Sequence, residues 1–221
     1  MDVELLIGTF PRLYHMAEHD AWPSVQRHGL LSTSALLDLF EISGQERERL
    51  EAAHRAESVP IEHPVHGRAV IRDQKPMSDS GLRRCLKGAT PREWYLILNA
   101  KVFFWPHAER LRTLLEAQAY REHRHCVITV DTRKLVERHG DRILLSPMNS
   151  GATKPMPHPR SPQTFLPIRD YPFDEWQRKR GRAIRAIGEV AVSYSVPDIC
   201  ETILEVAIWH KGVVISRLFP T

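Results

Sequence analysis

Two short segments, one near each end of the chain, constrain the fold more than any other feature of the sequence. Residues 13–17 (LYHMA) are apolar and aromatic around one histidine, His15, which is typical of a buried strand. Residues 188–194 (GEVAVSY) predict another buried strand, which begins with Glu189. Strands that are distant in sequence can lie side by side in a sheet. His15 and Glu189 can therefore share one cleft although they are far apart in sequence.

The first of these segments is followed by helix signals. Asp20 is placed to cap a helix that runs to about His28, and Gly29 stands where helices commonly end. The sequence after Gly29 (LLS) predicts a change of direction before a second short helix.

Between the two segments, periodicity and capping signals predict alternating helices and strands. Helices are predicted over residues 32–40, 43–56, 90–99, 106–120, 132–139 and 174–185. Strands are predicted over residues 68–72, 101–105, 125–131, 142–145, 203–209 and 213–218. Strands early and late with helices between them predict a single α+β domain over residues 1–221, with mostly antiparallel sheets and peripheral helices.

Two segments show no periodic pattern. Residues 58–68 carry prolines and histidines and are predicted to be a loop. Residues 146–172 hold seven prolines. A connection of that length inside a domain is typical of a functional loop or lid.

Composition narrows the location and the partners. No stretch approaches the roughly 20 apolar residues of a membrane helix, so no membrane partner is expected. Three scattered cysteines and the lack of a basic and apolar leader predict a cytoplasmic protein without disulfides. The net charge of +4 permits binding to nucleic acid without selecting it.

Several known site motifs are absent from the sequence. No HExxH or CxxC spacing occurs, so no metal is predicted. No GxxxxGK, GxGxxG or GxSxG occurs either, which disfavours P-loop, dinucleotide-fold and α/β-hydrolase chemistry.

Glu189 is the first candidate for catalysis. On a strand it shares a face with Ala191 and Ser193, and both faces of this strand are largely apolar. A carboxylate enclosed in this way is costly unless it is paired or used. Glu189 is therefore either a structural partner of an arginine or a working group.

Three segments, taken in order, resemble the ADP-ribosyltransferase fold, and most closely the DarT-like nucleic-acid ADP-ribosyltransferases. Residues 12–32 are similar to the first NAD-binding strand and helix of that family. Residues 94–112, which include KVFFWP, are similar to its aromatic strand, and residues 186–209 to its catalytic-glutamate strand. The resemblance implies an ADP-ribosyltransferase-like fold with NAD as a substrate.

The resemblance also implies roles for individual residues. Glu189 would stabilise the positive charge on the ribose as nicotinamide leaves, and would take a proton from the acceptor. Arg110 would hold the pyrophosphate or support Glu189. The residues implied to contact NAD are His15, Met16, Ala17, Trp22, Phe103, Phe104 and Trp105.

A basic segment precedes the glutamate strand, in the region that shapes the acceptor site of this fold. Its five cations suit a phosphate backbone, although a solvated helix face is the alternative. They are Arg178, Lys179, Arg180, Arg182 and Arg185. The implied acceptor is a nucleic-acid base, with single-stranded DNA first because a base in a duplex would need extrusion. Family members act as toxins or phage-defence effectors, and some are checked by a macrodomain-type antitoxin.

The sequence departs from the family pattern at two positions. Ala17 stands where a threonine is common, and Ile187 stands where arginine-modifying members carry a second glutamate. The second departure argues against arginine as acceptor. The alternatives are ADP-ribosylation of RNA or protein, transfer of an RNA 2′-phosphate, and a non-catalytic binding module of the same fold.

Overall fold

Short helices and strands alternate along residues 1–220, the part of the chain that the computed structural model describes. The helices are α1 Val3–Thr9, α2 Trp22–His28, α3 Thr33–Leu39, α4 Gly44–Glu51, α5 Asp79–Cys85, α6 Pro91–Asn99, α7 Ala108–Glu116, α8 Thr132–His139 and α9 Phe173–Arg180. The strands are β1 Arg12–Glu18, β2 Leu30–Leu31, β3 Val59–His63, β4 Gly67–Ile71, β5 Lys101–Phe104, β6 Arg124–Asp131, β7 Ile143–Ser146, β8 Leu166–Pro167, β9 Glu189–Ser193, β10 Ser195–Val196, β11 Ile203–His210 and β12 Val213–Phe219. The predicted α+β class is confirmed.

Two four-stranded antiparallel sheets organise the fold. The first sheet has the order β1-β6-β11-β12, and the second has the order β5-β9-β7-β8. Two smaller pairs, β2 with β10 and β3 with β4, are also antiparallel. The predicted mostly antiparallel pairing is therefore confirmed.

The two large sheets join where β1 passes the end of β5. The amide of Tyr14 donates to the carbonyl of Trp105 at 2.9 Å, and the amide of Trp105 donates back at 2.7 Å. This junction brings the His15 strand beside the aromatic strand, although 88 residues separate His15 from Phe103.

One core is shared by both sheets. Alternate residues of each strand point into it, because successive side chains of a strand face opposite sides. Burial of this apolar surface is the main favourable term that holds the sheets together. Its members include Leu13, Val130 and Val206 from the first sheet and Phe104, Val190 and Val192 from the second.

The two terminal segments also pair directly, through β2 and β10. Leu30 lies opposite Val196, and Leu31 opposite Ser195. Gly29 has φ +77°, and a Cβ there would lie 2.5 Å from the Cα of Pro197. Only glycine combines that backbone conformation with such a close approach. The glycine that ends α2 therefore also seats the segment that follows the glutamate strand.

Several predicted elements are confirmed with small changes of boundary. Thr90 and Glu93 form a capping box at the start of α6, the helix predicted over residues 90–99. The hairpin of β11 and β12 forms as predicted, with Lys211 and Gly212 at positive φ in its turn.

Other predictions at this level were wrong. Residues 58–68 are not a loop: β3 and β4 form a hairpin there, and Ile61 packs in a small core with residues of α3 and α4. Ala21, rather than Asp20, is the N-cap of α2. The side chain of Ser43 makes no capping bond, and α4 ends at Glu51. Prolines and histidines hid the alternation of β3.

Two helices are shorter than predicted, and two were not predicted. The helix predicted over 106–120 covers only α7, and the one predicted over 174–185 ends at Arg180, where Gly181 has φ +75°. A 3₁₀ turn follows it at Ala183–Arg185. Helices α1 and α5 were not predicted. No helix within residues 1–220 combines the length and the apolar character needed to cross a membrane.

Candidate functional site

A cleft of about 470 Å³ opens at the junction of the two sheets. This volume lies in the range of small-molecule sites, roughly 300–1,000 Å³. Strands β1, β4 and β5 and the segment from α2 to α3 form much of its wall. Among the residues predicted to contact NAD, those that line it are His15, Met16, Ala17, Phe103 and Trp105.

His15 is fixed in one orientation on the cleft wall. Its Nδ1 lies 2.8 Å from the carbonyl oxygen of Phe103. A carbonyl can only accept, so Nδ1 carries the proton and Nε2 is left as an acceptor. Burial lowers the pKa of His15 to about 4, and the positive charge of Arg72 acts in the same direction. His15 is therefore neutral at pH 7.

Cations on the cleft wall were not predicted from the sequence. Arg72 pairs with Glu18 at 3.3 Å and lies 5.4 Å from the ring centroid of Tyr120. Arg55 is buried and donates to Asn99 Oδ1 at 2.9 Å. Lys101 donates to the carbonyl of Ile97 at 2.7 Å, and burial lowers its pKa to about 8.

Arg68 differs from these three cations because it is exposed. It stands on β4 at the edge of the cleft and has no carboxylate within 4 Å in residues 1–220. Acidic residues Glu18, Asp20 and Asp73 also line the cleft, so its walls carry charge of both signs.

Glu189 begins β9, next to the Val190 that pairs with Phe104 of the aromatic strand. It is 5% exposed. Its Oε2 accepts from the amide of Ser150 at 3.0 Å and from the Ser150 hydroxyl at 2.6 Å. Burial raises the pKa of Glu189 to about 7, against the opposing effects of these bonds and of Arg160 and Arg110.

Glu189 has no ion pair with an arginine in the part of the chain that the structure describes. The structural alternative that the sequence left open, pairing with an arginine at close contact, is therefore not what is found. A serine binds the carboxyl instead.

Ser150 belongs to residues 147–160, which we call the strap, and other residues of the strap hold it in place. The guanidinium of Arg160, itself 3% exposed, donates to the carbonyls of Ser150 and Ala152 at 2.7 Å each. A Cβ on Gly188 would lie 2.5 Å from the amide nitrogen of Met148, so glycine permits the strap to lie against the start of β9. The predicted loop over 146–172 thus has a defined path, with β8 near its end.

The strap also separates Glu189 from the cleft. Asn149 and Gly151 line the cleft, whereas Ser150 between them turns towards Glu189. Glu189 itself does not line the cleft. His15 and Glu189 therefore do not share one open cleft, as the sequence would allow: they lie on β1 and β9, on either side of β5, and the strap covers Glu189.

Two residues predicted to contact NAD face the core instead. Phe104 is fully buried between the two sheets, because alternation along β5 turns it away from Phe103 and the cleft. Trp22 is buried in the same core as the first residue of α2.

The predicted basic residues lie outside the cleft. Arg110 of α7 points its Nη1 towards the carbonyl of Gly188 at 3.5 Å and forms no ion pair with Glu189. Arg178, Lys179 and Arg180 form the last turn of α9, and Arg182 and Arg185 follow it. None of the six lines the cleft.

Sequence reasoning missed Ser150, Arg160 and the cleft cations. Ser150 and Arg160 lie in the proline-rich segment, which contains no periodic or motif signal. Within residues 1–220, no group of three or more His, Cys, Asp or Glu side chains is arranged to hold a metal ion.

Comparison with models of protein families gives a match. Residues 11–203 match the model of a family described as a family of unknown function (DUF7002). This range includes both β1, which carries His15, and β9, which carries Glu189. A search of curated proteins found no match.

Proposed function

The chain belongs to the DUF7002 family, and we propose that it is an NAD-dependent ADP-ribosyltransferase that modifies a base in nucleic acid, with single-stranded DNA as the preferred acceptor. The observation that supports this most is the junction of the two sheets. It sets His15 and the aromatic strand β5 on the wall of one cleft, with Glu189 on the strand next to β5. The proposed fold is accordingly ADP-ribosyltransferase-like.

The cleft has groups that suit each part of NAD. The unprotonated Nε2 of His15 is an acceptor for a ribose hydroxyl. Arg68, exposed at the edge, is available to the pyrophosphate. Phe103 and Trp105 offer aromatic surface to a ring of the ligand. A site of about 470 Å³ is large enough for a ligand of this class.

Glu189 would carry the chemistry. As the bond between nicotinamide and ribose C1′ breaks, positive charge develops on the ribose, and a fixed carboxylate stabilises it. A base nitrogen of the acceptor then bonds to C1′ and gives up its proton to the carboxylate. A carboxyl whose pKa lies at about 7 is suited to accept a proton at neutral pH.

The strap must move for this chemistry. Glu189 lies behind it, and Ser150 occupies Oε2 with two hydrogen bonds. We therefore propose that the structure represents a closed state, in which the cleft can accept NAD before the carboxyl reaches the ribose.

A non-catalytic binding module is the second candidate. Two observations favour it: Ser150 occupies the Glu189 carboxyl with hydrogen bonds, and Ala17 stands where DarT-like enzymes commonly have threonine. Such a module would bind NAD in the cleft and transfer nothing.

The test uses NAD labelled on the adenylate. The full-length protein is incubated with single-stranded DNA, single-stranded RNA and a cell protein extract, beside the Glu189→Gln and Glu137→Gln variants. We expect label on DNA, reduced about a thousandfold by Glu189→Gln and unchanged by Glu137→Gln, which alters an exposed residue of α8.

Other outcomes select the alternatives. Label on RNA or protein that depends on Glu189 changes the acceptor and keeps the enzyme class. Transfer of an RNA 2′-phosphate to NAD at a rate that Glu189→Gln does not change indicates the phosphotransferase. Binding of NAD by a folded protein without any transfer indicates the binding module.

A further inference from the structure

Three arginines from different segments surround the turn that precedes Glu189. Arg180, at the end of α9, donates to the carbonyl of Arg185 at 3.0 Å. Arg110 of α7 approaches the carbonyl of Gly188 at 3.5 Å. Between them, Tyr171 donates to the carbonyl of Ala186 at 2.7 Å. Two guanidinium groups and one phenol hydroxyl thus hold the turn through its backbone carbonyls.

None of these arginines forms an ion pair with an acidic side chain in the described part of the chain. Within residues 1–220, none of Arg110, Arg180 and Arg185 has a carboxylate within 4 Å, whereas the neighbouring Lys179 pairs with Glu175 at 2.6 Å. Arg110 and Arg180 are also half-buried. Burial lowers the pKa of Arg110, the positive charges of Arg180 and Arg185 lower it further, and the Glu189 carboxyl, which lies beyond ion-pair distance, opposes them. Like charges held together without a paired counter-charge are unfavourable until an anion joins them.

Stabilisation of α9 does not explain the cluster. Cations in the last turn of a helix interact favourably with its dipole, which accounts for Arg178, Lys179 and Arg180. Arg110 lies on another helix and Arg185 beyond the end of α9, so neither contributes to that interaction.

We propose that Arg110, Arg180 and Arg185 form a phosphate-binding niche for the backbone of single-stranded nucleic acid. Guanidinium groups match phosphate oxygens in geometry and bind them through paired N–H donors. The exposed Arg178 and Arg182 continue the positive charge away from the niche, which suits a linear polyanion better than a small ion.

This niche deepens the proposed function and rests on it for its purpose. The niche lies at Gly188, one residue before Glu189. A phosphate held there would bring the acceptor strand to the start of β9, on which the proposed catalytic residue stands. Arg110 is then a residue that positions the acceptor rather than one that holds NAD.

Binding is tested without NAD, so that it is independent of catalysis. Fluorescence anisotropy measures the Kd of the full-length protein for a labelled single-stranded DNA at several salt concentrations. The triple variant Arg110→Gln, Arg180→Gln, Arg185→Gln is compared with Arg133→Gln, which alters an exposed arginine on α8 paired with Glu4 at 2.8 Å. A peptide nucleic acid of the same sequence supplies bases without phosphates.

We expect the triple variant to bind at least about tenfold more weakly, and the slope of log K against log salt to fall by about 0.7 for each phosphate that the variant no longer neutralises. Arg133→Gln should bind within twofold of the wild type, and the peptide nucleic acid should not bind through the niche. Circular dichroism checks that each variant folds. The exposed Arg185→Gln alone carries the test if the triple variant does not fold.

Unchanged DNA binding by a folded triple variant would overturn the niche, and so would equal binding of a polyglutamate peptide, which would point to an acidic protein partner. The two proposals fail in different ways. DNA binding that is weakened in the triple variant, without any label transfer by the wild type, removes the transferase and keeps the niche. Label transfer that the triple variant retains in full keeps the transferase and removes the niche.

Discussion

His15 and Glu189 lie near one sheet junction, on strands at either side of β5. Burial shifts the pKa of both side chains. It lowers the pKa of His15 to about 4 and raises that of Glu189 to about 7, so each side chain is driven towards its neutral form. Their partners differ. The His15 ring is held through one nitrogen by a backbone carbonyl of β5, and its other nitrogen remains free. Glu189 is held through Oε2 by the strap.

This difference shows that burial alone does not make a residue available for function. The His15 side chain is held by β1 and β5, two strands from different sheets, so it is placed when the sheets form and meet at their junction. The surroundings of Glu189 depend instead on the strap, which has no regular structure and whose position is set by Arg160 and by the close approach at Gly188. We therefore expect the surroundings of His15 to be the more rigid, and the strap over Glu189 to be the part that changes conformation.

The largest effect is expected from removal of Arg160. Arg160→Met leaves the carbonyls of Ser150 and Ala152 without a donor in a buried place, so the free energy of unfolding should fall by about 3 kcal/mol. Urea denaturation measures it, with Arg169→Met as the exposed control. Hydrogen exchange should increase at amides of the strap and stay unchanged in β1. A decrease below about 1 kcal/mol would show that Arg160 does not hold the strap.

A smaller effect is expected from Glu189→Gln, and it should depend on pH. The folded pKa of about 7 exceeds the ordinary carboxyl value of 4.5, so the stability contribution is full below pH 4.5 and lost as pH rises through 7. The variant does not titrate, so relative to wild type it should gain about 2 kcal/mol between pH 5 and pH 8. Unfolding free energies at both pH values measure this, with Glu137→Gln as control. An equal difference at the two pH values would mean that Glu189 titrates normally.

The smallest effect is expected in the ¹⁵N chemical shifts of His15 between pH 8 and pH 6. Its folded pKa of about 4 lies below the ordinary 6.5, so its stability contribution is fully present above pH 6.5 and is lost as pH falls from 6.5 through 4. Its ¹⁵N chemical shifts should therefore stay those of a neutral ring with the proton on Nδ1. The protein unfolded in urea provides the reference titration. A titration midpoint above pH 6 for His15 in the folded protein would show that burial does not lower its pKa as it raises that of Glu189.

The sequence by itself determined the elements whose signals are local. Short apolar runs predicted the strands of His15 and Glu189, and capping signals such as Thr90 and the glycine after His28 predicted helix ends. Which face of β9 carries Glu189 also follows from alternation, because side chains in a strand change sides at every residue. These predictions needed only neighbouring residues.

The tertiary structure alone decided which of these residues meet. Phe104 was turned into the core by the pairing of β5 with β9, and Arg110 approaches the carbonyl of Gly188 instead of forming an ion pair with Glu189. The strap that covers Glu189 is positioned by contacts between residues far apart in sequence, chiefly those of Ser150 and Gly188. Such contacts depend on how separate elements pack, and no local pattern encodes them, so the sequence could name the histidine and the glutamate without showing what lies between them.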